Sequence, residues 1–278
     1  MNRQTQTRVQ HGLWYLALIA VAALMVVPFV WMLATSLQSL DRVFRSGLQF
    51  LPIPPQWGNY TKAWTVVPFD RFFINSTVVA LAHVVGQVAT SAMAAYAFAR
   101  LRFPLRDQLF LLYLGTLMIP AQVTIIPNFI LMRDFKWTDT YWALIVPFLV
   151  STFGTFLLRQ FFLTIPRDLE DAAKIDGASH FSIFTRVILP LSGPALATLA
   201  IFVFLGSWNS FLWPLIVTNS MEMRTIPVGL RVFQGQYTTN YPLMMAAASL
   251  ALMPVLIVYM LGQKYFVRGI TLTGMAGT

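Results

Sequence analysis

A single sizeable polar stretch interrupts the apolar second half of this chain: Pro166-Arg-Asp-Leu-Glu-Asp-Ala-Ala-Lys-Ile-Asp-Gly-Ala-Ser-His-Phe-Ser-Ile-Phe-Thr-Arg-Val-Ile-Leu-Pro190. Two short helices joined at Gly177 are predicted here, because glycine readily takes the left-handed backbone conformation that ends a helix. Thr164 is predicted to cap the first helix, and Asp168 and Glu170 lie near the positive end of its dipole. The stretch contains no nucleophile–base pair and no cluster of metal ligands, so it is predicted to be a docking element without catalytic or metal-binding residues.

Helical spacing assigns faces to the two short helices. On the first helix, residues three and four apart share a face, and its small side chains let another backbone come close. That face consists of Leu169, Ala172, Ala173 and Asp176. On the second helix, the same spacing predicts an apolar side. That side consists of Phe181, Phe184 and Ile188.

Composition places the chain in a lipid bilayer. Hydrophobic residues make up 57% of it and charged residues 10%, and several uncharged runs are long enough to cross a membrane. There is no cysteine, so disulfides and thiol chemistry are excluded. The net charge of +9 favours anionic lipid headgroups over nucleic acid as a partner, since no basic stripe appears outside the loops.

Hydropathy predicts an all-α polytopic membrane protein with six transmembrane helices in a single domain, residues 1–278. The predicted spans are about 13–34, 74–98, 108–132, 141–162, 190–218 and 241–263. Pro120 and Pro127 in the third span and Pro147 in the fourth predict broken or kinked helices. Small residues from Ala89 to Ala95 predict that the second span packs closely against its neighbours.

The longest predicted loop, residues 35–72, combines prolines with aromatic residues that suit the headgroup boundary. It is interpreted either as a connector along the membrane surface or as a small exposed lid. Six spans put both termini on one side of the membrane. When the termini, the Arg100–Arg106 loop and the polar stretch are placed in the cytoplasm, 11 of the 19 Lys and Arg lie inside and 8 outside, in the sense of the positive-inside rule.

Polar residues inside the spans are candidates for a path across the membrane, because they are costly in lipid unless they face a cavity or a neighbouring helix. The candidates in the second span are Asn75 and His83. Those in the fifth span are Trp208, Asn209, Ser210 and Phe211. For His83 and Asn209 an interhelical hydrogen bond is the alternative to a role in the path.

The polar stretch also resembles the EAA loop of bacterial ABC-importer permeases. Asp171-Ala172-Ala173, Gly177, Val187 and Leu189-Pro190 keep every spacing of that motif, with Asp171 in place of its glutamate and Val187 in place of its isoleucine. The resemblance implies that residues 164–189, here named the coupling segment, fit a groove of the ATPase subunit. An ordinary amphipathic helix at the membrane surface is the alternative. The residues implied in coupling are Glu170, Asp171, Ala172, Ala173, Asp176, Gly177, Ala178 and Phe181.

Further stretches are similar to the smaller permease of sugar importers of the maltose type. They are Phe73-Ile-Asn-Ser-Thr77, Ala95-Tyr-Ala-Phe-Ala-Arg-Leu-Arg-Phe-Pro104, Met118-Ile-Pro-Ala-Gln-Val-Thr-Ile-Ile-Pro127, Trp208-Asn209 with Trp213-Pro214, and Lys264-Tyr-Phe-Val-Arg-Gly269. The resemblance implies the type I importer permease fold in the inner membrane. It also implies a second permease subunit, two ATP-binding subunits that hold ATP and Mg, and an extracytoplasmic solute-binding protein. No cofactor is expected on this chain.

Three functions are weighed from these observations. A permease subunit for a sugar or sugar-like solute is favoured, and a permease for glycerol-3-phosphate or a related glycerol derivative is the alternative within the same family. A secondary transporter is disfavoured, because all ten Asp and Glu residues fall in loops or at span edges, whereas ion-coupled carriers keep acidic groups within the membrane. A channel is disfavoured because it would not need the docking element at Asp171–Gly177.

The chain is expected to hydrolyse no ATP by itself, because its sequence has no G-x-x-x-x-G-K-[ST] phosphate-binding loop. The measurement is phosphate release by the purified chain, compared with the same chain co-purified with its ATP-binding subunit. Turnover that persists in the isolated chain after removal of contaminating ATPases would contradict the assignment.

Overall fold

The fold is built from helices. The computed structural model describes residues 3–45, 52–235 and 239–274, and within them strand pairing is limited to an isolated antiparallel bridge between Gln234 and Thr239. The α-helices are α1 (Arg3–Ser36), α2 (Leu40–Arg45), α3 (Gly58–Thr65), α4 (Phe69–Arg100), α5 (Arg106–Gly115), α6 (Ala121–Asp134), α7 (Tyr141–Ile145), α8 (Thr152–Thr164), α9 (Asp168–Ile175), α10 (His180–Ile183), α11 (Leu189–Leu191), α12 (Gly193–Trp208), α13 (Leu212–Val217), α14 (Ile226–Leu230) and α15 (Tyr241–Gly274). Short 3-10 turns at Thr116–Met118, Val146–Phe148, Met221–Met223 and Arg231–Phe233 and a π-turn at Phe184–Ile188 complete them. The predicted all-α class is confirmed.

The described residues contain three continuous helices that are long and apolar enough to cross a membrane: His11–Ser36, Phe69–Arg100 and Tyr241–Gln263. Three bent pairs of helices also qualify when each pair is taken as one span. They are Arg106–Met118 with Ala121–Asp134, Tyr141–Phe148 with Thr152–Thr164, and His180–Leu191 with Gly193–Trp208, bent by 92°, 41° and 78°. The predicted number of six spans is reached on that basis.

Prolines cause the bends in the third and fourth spans, as predicted. Ile119 is extended, with ψ of 114°, because the ring of the following Pro120 disfavours helical geometry in the preceding residue. Pro120 then begins α6 as its N-cap residue, and Pro147 lies in the 3-10 turn that ends α7. Pro127, by contrast, is accommodated inside α6.

The fifth span differs from its prediction as one helix over 190–218. Helix α12 begins at Gly193 and ends at Trp208, and the chain restarts as the short helix α13 at Leu212. A helix running through this region would place Pro214 in its interior, where the missing N–H leaves a carbonyl without a donor and the ring clashes with the preceding turn. Restarting at Leu212 instead puts Pro214 in the first turn of α13, where no donor is needed.

The chain divides into two compact units, Met1–Phe69 with Leu230–Leu252 and Asp70–Gly229 with Met253–Thr278. The prediction of a single domain stays a prediction. In the first unit, α3 closes the end of α1. The side-chain amide of Asn59 donates to the backbone oxygens of Ser36 and Gln38, both at 2.8 Å, and the hydroxyl groups of Ser36 and Tyr60 lie 2.8 Å apart. The carbonyls that a helix end leaves unpaired are therefore satisfied.

In the second unit, α4 packs against α8 and α12 through small residues. Ala92, Ala95 and Ala99 are almost completely buried in a cluster that also holds Leu158 of α8 and Leu199 of α12. The prediction that the small residues of the second span mediate close packing is confirmed for Ala92 and Ala95, because alanine lets neighbouring helices approach within lipid.

A second close approach joins α14 to the beginning of α4. A Cβ added at Gly229 would lie 2.2 Å from Cδ2 of the Phe72 ring, and Phe72 is fully buried. Because the ring has no free space to move into, only glycine fits at position 229. This contact fixes α14 against the beginning of α4.

We expect Gly229→Ala to lower the free energy of unfolding by about 1–3 kcal/mol, because the added methyl group overpacks the buried Phe72 ring. Thermal unfolding of the purified protein measures the effect. Gly115→Ala is the matched control, since a Cβ there meets nothing within 4 Å. Equal melting temperatures for the two variants would contradict the packing of α14 on α4.

Candidate functional site

The coupling segment folds as two short helices with a left-handed turn between them. Helix α9 is followed by Gly177 with φ of +79°, as predicted. The Oγ atom of Ser179 accepts a hydrogen bond from the N–H of Ser182 at 3.2 Å and caps α10. The predicted cap at Thr164 is wrong: its hydroxyl donates to the carbonyl of Phe161 at 2.7 Å, so it serves the end of α8.

The second short helix does not present the predicted apolar side. Phe184 and Ile188 are buried, but Phe181 is 75% exposed. The reason is the π-turn, in which the N–H of Leu189 donates to the carbonyl of Phe184 five residues before it. This wider turn aligns residues five apart, and Ile183 and Ile188 are accordingly both fully buried.

The outer surface of the coupling segment exposes apolar side chains among charged residues of both signs. Ile175 is 87% exposed and Phe181 75%, although both are large hydrophobic side chains. Of the residues implied in coupling, five lie on this surface: Asp171, Ala172, Asp176, Gly177 and Phe181. Ala173 and Ala178 are half-buried and pack against the apolar cluster of the second unit.

Asp171 remains charged on this surface. Its carboxylate accepts a hydrogen bond from Nζ of Lys174 at 2.8 Å, and this bond holds the pKa of Asp171 below its ordinary value. The carboxylate is therefore available to a basic partner surface at neutral pH.

Glu170 faces the interior of the chain. It is 5% exposed, and its Oε1 lies 2.9 Å from Nε of Arg100, whose side chain is 3% exposed. The Nη2 atom of Arg100 also donates to the carbonyls of Phe162 and Ile165, which satisfies the end of α8. Arg100 thus joins the end of α4, the end of α8 and the start of the coupling segment, and Glu170 positions that segment instead of offering its carboxylate to a partner.

Polar side chains of α4 donate hydrogen bonds to backbone carbonyls at the break in the fourth span. Gln87 donates from Nε2 to the carbonyl of Phe148 at 2.7 Å, and the hydroxyl of Thr90 lies 2.8 Å from the carbonyl of Leu149 and equally far from that of Gly86, so its one proton is shared between them. The carbonyls of Phe148 and Leu149 lie where the helix is interrupted, so without these donors they would be unpaired at membrane depth.

His83 joins three elements. Its Nε2 lies 3.1 Å from the carbonyl of Leu144 and its Nδ1 lies 2.8 Å from Oγ of Ser207. Because a carbonyl can only accept, Nε2 carries a proton, and in the neutral imidazole Nδ1 then accepts from the Ser207 hydroxyl. His83 therefore makes interhelical hydrogen bonds and also lines a cavity, and its role in a path stays a prediction.

The main cavity has a volume of about 340 Å³ and lies among α4, the α7–α8 break, α12 and the start of α13. Of the predicted path residues, His83 and Ser210 line it. A second cavity of about 300 Å³ is lined by Phe211 and by polar residues of α6. The two cavities share a wall composed of Phe148, Ser210 and Trp213.

The remaining predicted path residues lie elsewhere. Trp208 is 3% exposed and stacks on Phe204 with ring centroids 5.4 Å apart. Asn209 is exposed, and its amide donates to the carbonyl of Leu205 at 2.8 Å. That bond lies within one helical turn, and Asn209 is not among the residues that line the main cavity; its role in a path stays a prediction.

Asn75 has a structural role in this conformation. Its amide donates to the carbonyls of Glu222 and Arg224 at 2.6 and 2.9 Å, and its Oδ1 accepts from the Tyr141 hydroxyl at 2.5 Å. With these bonds made, the 2% exposed side chain anchors the loop before α14 and does not reach the main cavity.

Several residues of the main cavity were not predicted from the sequence: Gln87, Phe148, Ser207, Trp213 and Thr225. The available signal was the spacing of His83, Gln87 and Thr90, which puts three polar residues on one face of an otherwise apolar helix. Their common face, more than any single residue, marks the cavity.

Comparison with known proteins assigns the chain to a family. The family model described as "Binding-protein-dependent transport system inner membrane component" matches residues 87–272. The sn-glycerol-3-phosphate transport system permease protein UgpE of Pectobacterium atrosepticum is 35% identical, covering 97% of this chain and 97% of that protein. The arabinooligosaccharides transport system permease protein AraQ of Bacillus subtilis is 37% identical, covering 90% of each.

Solved structures show the same fold. A chain from a bacterial ABC transporter involved in the import of the acidic polysaccharide alginate matches with a TM-score of 0.83 at 24% identity, over 96% of this chain and 99% of that chain. A second match, at a TM-score of 0.64 and 13% identity, comes from a bacterial alginate ABC transporter in complex with alginate pentasaccharide-bound periplasmic protein. At these identities the likeness is one of fold.

We expect Glu170→Ala to destabilise the protein by about 3–5 kcal/mol, because it leaves the buried guanidinium of Arg100 without its counter-charge. Asp171→Ala is the matched control on the same helix, since its ion pair with Lys174 is exposed to solvent and contributes little. The measurements are thermal unfolding and limited proteolysis of the coupling segment. Similar melting curves for the two variants would show that the Arg100–Glu170 pair does not hold the segment.

Proposed function

The chain belongs to the family of binding-protein-dependent transport system inner membrane components, and we propose that it is the permease subunit of an ATP-driven ABC importer for a sugar or sugar-like solute. A permease for glycerol-3-phosphate is the second candidate, since both classes of solute occur in the names of relatives of similar identity. As a permease subunit it is non-catalytic, and we assign ATP and Mg to a separate ATP-binding chain.

The coupling segment carries this proposal. Ile175 and Phe181 expose large apolar side chains on this segment, as does Leu169 to a lesser extent, and such patches mark surfaces that bind other proteins. The small exposed residues Ala172 and Gly177 would let a partner approach the backbone beside them. A groove of the ATP-binding subunit is the partner that fits this surface in an ABC importer.

Motion of the coupling segment reaches the main cavity through α4. The Arg100–Glu170 ion pair, 2.9 Å between Nε and Oε1, ties α9 to the last residue of α4. The same helix bears His83 and Gln87, which hold the broken fourth span by their hydrogen bonds. ATP-driven movement of the partner subunit would thus be passed to the walls of the cavity, and the bends in the spans are where the chain can change shape for alternating access.

The proposed assembly has four kinds of subunit. This chain would pair with a second permease, and each permease would engage one ATP-binding subunit. A solute-binding protein would deliver the solute from outside the membrane, as in the alginate transporter complex with its periplasmic protein. We assign both termini and the coupling segment to the cytoplasm, with the positive-inside distribution as support.

We expect Gly177→Val to abolish solute uptake and to weaken co-purification of the ATP-binding subunit. The left-handed conformation at Gly177 costs an ordinary residue about 1–2 kcal/mol, and a β-branched side chain is especially strained there. The variant would therefore redirect α10 while the spans stay inserted. Uptake into proteoliposomes and co-purification of the ATP-binding subunit measure the effect.

Gly177→Asn is the matched control, because asparagine tolerates the left-handed conformation and an added Cβ at this position meets nothing within 4 Å. It is expected to keep most of the uptake and of the co-purification. If the valine variant also retains both, the coupling segment is not the contact with the ATP-binding subunit, and the importer assignment loses its main support.

A further inference from the structure

The main cavity contains polar groups whose hydrogen-bonding capacity is not used within the described residues. Thr225 is 4% exposed and lines the cavity. Its Oγ1 has no hydrogen-bond partner among the described residues. A buried hydroxyl without a partner is costly to fold. A ligand that enters the cavity would remove that cost, so Thr225 points to an occupant.

Two further groups add to this capacity. The Oγ of Ser76 accepts a hydrogen bond from the N–H of Ile226 at 2.9 Å, which leaves its own proton to donate. Gln87 uses Nε2 on the carbonyl of Phe148, which leaves Oε1 as an acceptor. Both residues line the cavity, and together with Thr225 they offer donors and acceptors in the mixture that sugar hydroxyl groups match.

Aromatic rings form another wall. The rings of Phe148 and Trp213 lie edge to face, with centroids 5.6 Å apart and an interplanar angle of 78°. The Nε1 atom of Trp213 donates to the carbonyl of Ala143 at 2.9 Å, so the indole is held in place. Rigid apolar rings beside a few placed polar groups are typical of small-molecule sites.

Charge is missing from this cavity. No Asp, Glu, Lys or Arg is among the residues that line it in the described part of the chain. Both nitrogens of His83 are engaged with Leu144 and Ser207, so the imidazole has no N–H left to donate to a phosphate oxygen. A phosphate group here would lack a counter-charge, and desolvating an unpaired anion is prohibitive.

We propose that the main cavity is a solute subsite of this chain and that it takes one neutral sugar ring, not a phosphate ester. The proposal rests on the importer function proposed above and narrows its solute to an uncharged carbohydrate. The volume of about 340 Å³ is at the lower end of small-molecule sites, which suits one ring. The hydroxyl groups of the sugar would bind Ser76, Gln87 and Thr225, and its apolar face would lie on the aromatic wall formed by Phe148 and Trp213.

The first test is Thr225→Val in the complete reconstituted importer, which removes one hydroxyl and keeps the shape. We expect the KM for uptake of the transported sugar to rise about 3- to 10-fold, the value of one hydrogen bond. The melting temperature without solute should stay equal or rise, because an unpaired buried hydroxyl is removed. An unchanged KM with a raised melting temperature would show an idle hydroxyl and overturn the proposal.

The second test uses the absence of cysteine from this chain. Ser210→Cys places one thiol on the cavity wall, and Asn219→Cys places one on an exposed loop as the matched control. Labelling by the small neutral reagent methyl methanethiosulfonate is followed by mass spectrometry of this chain. The probes are a panel of neutral mono- to trisaccharides and sn-glycerol-3-phosphate, each also measured for uptake.

We expect a transported neutral sugar to slow labelling at position 210 and not at position 219. Protection by sn-glycerol-3-phosphate alone, or equal labelling with and without a transported sugar, would overturn the subsite while leaving the importer function intact. A complex whose ATPase and uptake respond to no probe and to no binding protein would instead overturn the importer function itself.

Discussion

A backbone carbonyl that loses its helical hydrogen bond inside a membrane has to accept one from another donor in the protein. Pro147 has no N–H, so the carbonyl of Ala143, four residues before it, loses its helical partner. The indole of Trp213 supplies the missing donor at 2.9 Å, and His83 and Gln87 of α4 supply the donors for the next released carbonyls. The polar face of α4, the break in the fourth span and the aromatic wall are therefore one arrangement, and the main cavity is the space it leaves.

A buried charge imposes a similar requirement at the cytoplasmic end that we assign to this unit. The guanidinium of Arg100 is 3% exposed and is stabilised by two carbonyls at the end of α8 and by the carboxylate of Glu170. Removing the carboxylate would leave the guanidinium without a counter-charge in a poorly solvated place. The coupling segment is thus held by an interaction that tolerates little movement, so the segment and α4 are expected to move together.

The sequence alone predicted the backbone conformation correctly where a covalent property of one residue determines it. Pro120 and Pro147 predict breaks because of their rings, and Gly177 predicts a left-handed turn because it has no Cβ. The role of a side chain could not be predicted where its hydrogen-bond partner is distant in the chain. The carbonyls bound by Asn75 belong to Glu222 and Arg224, and nothing local distinguishes such an anchor from a residue that lines a path. The exposure of Phe181 was missed because a π-turn changes the repeat on which the prediction of faces relied.

Helix α4 runs without a proline from Phe69 to Arg100. Asn75 near its beginning holds the loop before α14, His83 and Gln87 touch the main cavity, and Arg100 at its end holds the coupling segment. At a rise of about 1.5 Å per residue, Asn75 and Arg100 lie roughly 38 Å apart along the axis. The helix can consequently act as a lever. A tilt of about 5° at one end would displace the other end by about 3 Å over that length. This displacement is about the donor–acceptor distance of one hydrogen bond, so it is enough to exchange one set of hydrogen-bond partners for another at the far end.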